Sequence, residues 1–390
     1  MARYISSNAN RHFVALEQDY GAVPAISAAN RIPAVKLMAG HEFVRPERRD
    51  KTGSRTYPGH PNGLKRRAEY QLKTYMTGWT PGGEPPGYGA LFQGGTGGER
   101  VEFGGGIVGS QSIGKALVFA GSHGLSEGQA VTFGGEMRFV ARVTSQVEVE
   151  LNAPFSIAPN AGAPIGATLT YPLGLELPSL SLFDYWSPET AVQRLVCGAA
   201  VNRMRVAVNG DFHSFEFSGP AMDVLDSASF VAGEGGLAQF PVEPETAPSP
   251  HSIIPGHLGQ VWFGESPDRL YTVTRLDLEL VNDAELRDRE YGSMTARGIS
   301  PGRRVVSADV EVFERDDEAS GGLYRAARAR RPVSLMVQLG EQAGQLFGIW
   351  APALIPTVPE FDDSDTRLRW SFEGCRAQGT AEDELAIAFG

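Results

Sequence analysis

Apolar and polar positions alternate with a period of two in two separate stretches of the chain. Tyr70 and Leu72 alternate with charged or amide residues, and Val310 and Val312 do the same much later in the chain. This period predicts β-strands with one buried face. The polar positions that we expect on the solvent face are Glu69, Gln71 and Lys73 in the first stretch and Asp309 and Glu311 in the second.

The two stretches belong to a longer internal repeat, the kind of signal that changes the interpretation of a whole chain. Each copy consists of a strand, a charged loop with a Gly-Ser pair, a turn and a second strand. Gly53-Ser54 in the first copy matches Gly292-Ser293 in the second. A further pair of blocks repeats downstream, where the sequences FSG (217–219) and FEG (372–374) align. The order of these signals predicts two tandem copies of one unit.

The predicted fold is mainly β, with two tandem β-sandwich domains, each with a flanking helix, and a small inserted β domain. The first domain is discontinuous, and a Pro/Gly-rich linker precedes the second. The predicted boundaries are 1–88 and 172–231 for the first domain, 89–171 for the insertion, 232–259 for the linker and 260–390 for the second domain.

Capping signals predict where the two flanking helices lie. In the first domain, Ser187 and Pro188 are typical of a helix start and Gly198 of a helix end, so we expect a helix over 187–198. In the second domain, LYRAARAR (323–330) follows two glycines and ends before Pro332. It predicts the second helix.

The insertion has a glycine-rich start followed by short strand-like runs, which suits a small β-barrel or sandwich. We expect it to be an accessory domain outside the main assembly. The predicted strands are 116–120, 129–133, 138–144, 147–151 and 167–171.

Composition argues against nucleic-acid binding, membrane spanning and cysteine-based metal or redox sites. The formal net charge is −11 over 390 residues, which has the wrong sign for a protein that holds nucleic-acid phosphate. Runs of about 18 or more apolar residues are absent from the sequence, so we expect no transmembrane helix. The cysteines, Cys197 and Cys375, are in no metal-binding or redox motif.

The glycine-rich and acidic segments contain no complete catalytic motif, and the seven histidines are scattered without metal-ligand spacing. Gly292-Ser293 lacks the second glycine of a nucleophile elbow, and Gly94 to Gly98 do not lead into a Lys-Ser/Thr phosphate loop. Asp362 to Asp365 resembles a calcium loop without its distal glutamate, which favours a turn. We therefore expect no catalytic residue, no cofactor and no metal site. Carboxylates that pair only in space keep a carbohydrate-binding or carbohydrate-cleaving β-sandwich as an alternative.

Two blocks resemble the tail tube proteins of long-tailed bacteriophages. These are GAAVNRMRVAVNGDFHSFEFSGPAMDV (198–224) and RDKTGSRTYPGHPNGLKRRAEYQLKTYM (49–76). The resemblance covers both repeat units and omits the insertion. It implies sandwich domains that close six at a time into a ring with an inner β-barrel, and rings that stack into a hollow tube. Two fused domains imply a trimeric, pseudo-hexameric ring, although the duplication and insertion leave the stoichiometry open.

The resemblance implies a structural virion protein and not an enzyme. Its subunits would self-assemble in the bacterial host cytoplasm and would meet the terminator, tape measure and tail tip proteins of the phage tail. DNA would pass through the channel during ejection without specific binding, and no membrane would be involved. Another tail-tip virion protein remains an alternative.

Two charged loops are the candidate contacts between stacked rings. One is mainly basic and the other mainly acidic, a complementarity that sets register, although two solvated loops would have the same composition. The basic set is Arg45, Arg48, Arg49, Lys51 and Arg55, and the acidic set is Asp283, Glu285, Asp288 and Glu290. The candidate lumen-facing residues are the five alternating polar positions named above. An acidic lumen wall would repel DNA.

Overall fold

The computed structural model describes residues 4–43, 50–56, 59, 65–80, 85–245, 252–264, 269–364 and 366–390. Strands dominate these residues, so the predicted mainly β fold is confirmed. None of the helices in the described part of the chain is long and apolar enough to cross a membrane.

The first half contains two groups of strands separated by a helix and the insertion. Before the insertion come β1 (Asn10–Leu16), β2 (Arg31–Ile32), β3 (Ala34–Phe43), β4 (Arg66–Tyr75) and helix α1 (Gly89–Thr96). The insertion contributes β5 (Val101–Phe103), β6 (Gly106–Ile107), β7 (Ala116–Val118), β8 (Ala130–Phe133), β9 (Glu136–Val143), β10 (Glu148–Leu151), β11 (Pro164–Ile165) and β12 (Thr168–Tyr171). After it come β13 (Leu180–Trp186), β14 (Arg194–Ala199), β15 (Arg203–Val208), β16 (Ser214–Ala221) and β17 (Asp223–Asp226).

The second half follows a connecting segment and contains one helix. Its elements are β18 (Gly259–Gly264), β19 (Val273–Val281), β20 (Glu285–Leu286), β21 (Ile299–Ser300), β22 (Val305–Phe313), α2 (Glu318–Ala329), β23 (Val333–Leu339), β24 (Phe347–Ile355), β25 (Glu360–Asp362), β26 (Arg369–Ala377) and β27 (Ala386–Phe389). Short 3-10 turns lie at Ala28–Asn30 and Glu234–Gly236.

Each half is built from two sheet layers, and the strand order is the same in both halves. In the first half, β17-β14-β13-β1 packs over β3-β4-β16-β15. In the second half, the corresponding orders are β27-β24-β23-β18 and β19-β22-β26-β25. Strand β24 belongs to both layers, because its first residues pair with β27 and its last residues pair with β26.

The pairing register also corresponds between the halves. The β3–β4 pair places Leu37 opposite Leu72, and the β19–β22 pair places Leu276 opposite Val310. Each pair has a register shift at the same distance from these residues, between Ala34 and Lys36 in one and between Val273 and Arg275 in the other. Bulges are specific local features, so the shared position makes β3 the counterpart of β19.

A seam between β15 and β19 joins the two halves edge to edge. Strand β15 of the first half pairs with β19 of the second in antiparallel register, from Arg203 opposite Val281 to Val208 opposite Leu276. One large sheet therefore runs through both halves, and a common apolar core lies beneath it.

The first predicted helix is wrong in position. Residues 187–198 form a turn followed by β14, in which Leu195, Val196 and Cys197 are all buried. A strand buried on both faces shows no alternation, so its sequence cannot be distinguished from a buried helix by periodicity.

The helix of the first half is α1, which occupies the first residues of the segment 89–171 that was predicted as the insertion. Gly94 packs so closely that an added Cβ would lie 2.9 Å from Leu180, which explains the glycine there. Phe92 is fully buried, with its ring 4.9 Å from that of Phe215 and 5.2 Å from that of Phe347. This helix therefore joins the cores of both halves.

The second helix is confirmed, with an earlier start. Helix α2 begins after Asp317, whose side chain accepts a hydrogen bond from the Ser320 amide at 2.9 Å. It includes both glycines of the segment that was expected to precede it and ends at Ala329.

The five strands expected in the insertion are confirmed, but the insertion is not detached from the rest of the chain. Its strand β12 pairs with β27 of the second half. Arg138 of β9 is buried, and its guanidinium lies 4.2 Å from the ring centre of Trp262 in β18. It also pairs with Glu136 at 3.0 Å. Burial lowers the pKa of Arg138 to about 10, against the opposing charge of Glu136.

The connecting segment between the halves lies against the first half. Arg11 of β1 donates to the Glu243 carboxylate at 2.6 Å. Ile254 is buried, and its neighbours Ile253 and Pro255 pair with Thr77 and Phe212. The segment predicted as a linker is therefore packed in its described part.

Replacing Arg138 with Ala tests how firmly the insertion is held. We expect the free energy of unfolding to fall by about 3–5 kcal/mol, because Glu136 would lose its partner in a buried site. Arg142→Ala, on the same strand but at an exposed ion pair with Glu150, should cost about 1 kcal/mol or less. Chemical denaturation of both variants measures the difference, and equal small losses would contradict the docking.

Candidate functional site: a charged sheet face and two free edges

The large sheet buries one face and exposes the other. In β4, Ala68, Tyr70 and Leu72 are buried while the residues between them are exposed or half-buried. The same alternation occurs in β22, where Val310 and Val312 are buried. The exposed side is therefore a continuous polar face that crosses the seam.

Ion pairs run across this face from strand to strand in the first half. Lys73 of β4 donates to Glu216 of β16 at 2.9 Å, and Glu216 lies 3.4 Å from Arg205 of β15. Arg205 also pairs with Asp277 of β19 at 2.7 Å. That last contact crosses the seam, and a second pair, Arg203 with Glu279, crosses it beside the first.

The row of pairs continues through the second half. Arg275 lies 2.7 Å from Asp277 and 3.4 Å from Glu311 of β22. Glu311 lies 3.8 Å from Arg369 of β26, which in turn pairs with Asp362 of β25. We call this row, from Lys73 to Asp362, the charge ladder.

The ladder neutralises the charges of its own members. Burial raises the pKa of Glu216, but Lys73 and Arg205 outweigh this effect and the net pKa is lowered. The hydrogen bond from Arg275 to Asp277 raises the pKa of that arginine. Each arginine in the ladder contacts a carboxylate of the same sheet, so little positive charge is left for an external phosphate.

All five polar positions predicted from the alternation lie on this face. Glu69, Gln71 and Asp309 are exposed, whereas Lys73 and Glu311 are half-buried members of the ladder. The Asp309 carboxylate accepts a hydrogen bond from the Gly374 amide at 2.7 Å.

Most members of the charge ladder were not predicted from the sequence. The unpredicted members are Arg205, Glu216, Arg275, Asp277, Arg369 and Asp362. The alternation of Arg203, Met204, Arg205 and Val206 was a usable signal for their face, but their partners depend on cross-strand register.

The two ends of the polar face are free strand edges among the described residues. Strand β3 pairs only with β4, and Val35, Met38 and Phe43 are exposed along it. At the other end, β25 pairs only with β26, and Phe361 is 56% exposed beside the Trp370 ring at 5.4 Å. Free edges carry unpaired backbone donors and acceptors and attract further strands.

The predicted stacking loops are only partly described. Arg45, Arg48 and Arg49 lie outside the described residues, and Lys51 and Arg55 are exposed.

The acidic loop between β19 and β22 lies across the seam within the same chain. Lys65 donates to the Asp288 carbonyl at 2.5 Å, and the Arg66 amide donates to the Met294 carbonyl at 3.0 Å. Glu290 binds Arg287 of its own loop, while Asp283 and Glu285 are exposed.

The described residues contain no group of three or more His, Cys, Asp or Glu side chains placed to hold a metal ion. No protein-family model matches the chain, and no curated protein is significantly similar to it.

A double-mutant cycle on Lys73→Met and Glu216→Gln measures one pair of the ladder. Because the pKa of Glu216 is lowered in the fold, its contribution is present above its unfolded value of 4.5 and is lost as pH falls through the folded value. We expect a coupling of about 0.5–1 kcal/mol at neutral pH, since both side chains are partly exposed.

The coupling should disappear in acid, once Glu216 is protonated in the folded protein. Urea denaturation of the four proteins at neutral pH and in acid provides the measurement. A coupling that is unchanged in acid would show that the pair contributes by packing and not by charge.

Proposed function

We propose that the chain is a structural protein of the tail tube type, which polymerises through its free sheet edges. The observation that supports this proposal most strongly is the seam between β15 and β19. It joins the two halves of one chain in the way that neighbouring molecules would join, and it leaves the counterparts of the same two strands at the ends of the sheet.

The correspondence of the strands supports this proposal. Strand β3 is the counterpart of β19 by its register and bulge. Strand β25 is the counterpart of β15, because Asp362 pairs with Arg369 as Ala207 pairs with Ser214, and these partners occupy matching positions on β22 and β4. A contact between β25 of one copy and β3 of the next would therefore repeat the internal seam.

Such a contact joins unlike surfaces and propagates in one direction around an axis. Heterologous contacts close into a ring when the rotation between neighbours permits. Each chain supplies two corresponding units, so a ring of three chains would have six units in pseudo-sixfold arrangement. Closure pairs every edge, which removes the aggregation hazard of an exposed strand.

The polar face supports a channel-lining role. DNA carries about one negative charge per 1.7 Å of its axis and binds exposed lysine and arginine. In the charge ladder, carboxylates of the same sheet already bind the arginines, and the chain has a net charge of −11. A ring lined by this face would let DNA pass without holding it.

The loop between β19 and β22 supports lateral contacts. It reaches across the internal seam to Lys65 and Arg66, so part of its acidic surface serves the joint between units. Exposed Asp283 and Glu285, together with Lys51 and Arg55, remain our candidates for contacts between stacked rings.

In this proposal the protein acts by geometry and is not an enzyme. It would belong to the virion, assemble in the bacterial cytoplasm and meet the other proteins of the tail. A tail-tip protein of related fold would form a single ring, whereas a tube protein would stack rings into long hollow tubes that negative-stain microscopy distinguishes.

The Phe361→Asp variant tests whether the free edge at β25 takes part in self-association. The substitution adds a charge where an apolar side chain would be buried between copies, and central apolar anchors typically dominate such contacts. We expect the concentration needed for self-association, measured by sedimentation velocity, to rise about tenfold or more.

Ile157→Asp is the matched control, since Ile157 is an exposed apolar residue of the insertion. It should leave self-association unchanged. Both variants should retain the circular dichroism of the parent protein. An equal effect of the two substitutions on self-association would contradict a role for the β25 edge.

Engineered cysteines test the register of the proposed contact. The internal seam places Ala207 opposite Asp277, so its repeat places Asp362 of one copy opposite Met38 of the next. The Met38→Cys, Asp362→Cys variant should form intermolecular disulfides on oxidation, giving linked dimers and trimers on non-reducing gels.

The off-register variant Met38→Cys, Val358→Cys should cross-link far less, because its cysteines would lie about four residues apart along the strands. Native Cys197 and Cys375 are buried. Equal cross-linking in both variants would contradict the proposed register.

A further inference from the structure

We infer that a cleft between the insertion and the second half binds a small organic cation with an apolar body. The cleft has a volume of about 740 Å³. This lies within the range of about 300–1,000 Å³ that is usual for small-molecule sites. Its lining residues are separate from the charge ladder.

The walls come from two well-anchored parts of the chain. The insertion supplies the segment 126–129 and Ala141, and the second half supplies Trp350, Ala353 and the segment 378–386. Strand β12 of the insertion pairs with β27 of the second half, which fixes the two walls relative to each other. The cleft is therefore formed before any ligand arrives.

Trp350 is held rigidly at the apolar wall. Its ring stacks on Phe139 with centres 5.9 Å apart, and its Nε1 donates to Ser334 Oγ at 3.0 Å. Leu173, Pro352 and Ala386 extend the apolar surface. These groups suit a hydrocarbon or aromatic body.

The charged groups of the cleft all have one sign. Of the described residues that line it, none is Lys, Arg or His, whereas Glu127, Glu382 and Asp383 are present. The Asp383 carboxylate already accepts a hydrogen bond from the Thr380 amide at 2.6 Å. Glu127 and Glu382 are exposed and give the opening a negative potential that favours an ammonium or guanidinium group.

Three probes with the same apolar body separate the contribution of the negative charge from that of the apolar wall. These are 4-phenylbutylamine, which is cationic at neutral pH, 4-phenylbutanol and 4-phenylbutyrate. Isothermal titration calorimetry at low ionic strength should give the amine a Kd about tenfold below that of the alcohol, with the acid binding most weakly. Added salt should reduce the advantage of the amine.

Variants of the cleft assign the binding to this site. Glu127→Gln with Glu382→Gln should bring the amine close to the alcohol while leaving the alcohol within about twofold of its original Kd. Glu189→Gln, at an exposed carboxylate of the first half, should change nothing. Ala141→Leu should weaken all three probes by filling the cleft.

Any of three results would overturn the inference. The first is an amine that binds no better than the alcohol, and the second is no saturable binding of any probe to the 390-residue chain below about 10 mM. The third is an amine preference that survives removal of the Glu127 and Glu382 charges, which would assign the binding to another surface. The glutamate variants keep the test valid even if Ala141→Leu fails to fold.

Discussion

The backbone hydrogen bonds between β15 and β19 join the strands of the two halves into one continuous sheet. Among the described residues, this pairing leaves β3 and β25 as the edges of the polar face. Unpaired backbone amides and carbonyls at a strand edge cost free energy when they are buried. When they are exposed, they attract further strands. Because β3 and β25 correspond to the strands of the seam, we propose that these two edges complement each other between copies of the chain.

The charge ladder follows from the same register. Each ion pair joins neighbouring strands, and Arg205 with Asp277 crosses the seam itself. A slip of one residue would turn these side chains into the apolar core, so the ladder and the core select the same pairing. Individually such pairs are weak, but as a row they give each arginine of the charge ladder a carboxylate partner.

The sequence predicted strands where burial alternates or where clear turns bound the strands, and it failed at β14. Tyr70, Leu72, Val310 and Val312 were found because their faces differ, and the insertion strands were bounded by clear turns. Strand β14 was mistaken for a helix because both of its faces are buried, and α1 was hidden by glycines that close packing requires. The ladder depends on partners from distant parts of the chain, such as Arg275 and Arg369, which no local pattern reveals.

The number of chains in a closed ring tests whether the free edges repeat the internal seam between copies. Cryo-electron microscopy of the assembled protein measures this number. We expect rings of three chains with six corresponding units around a channel lined by the charge ladder. A protein that stays monomeric at high concentration, or rings in which the β3 and β25 edges remain unpaired, would contradict it.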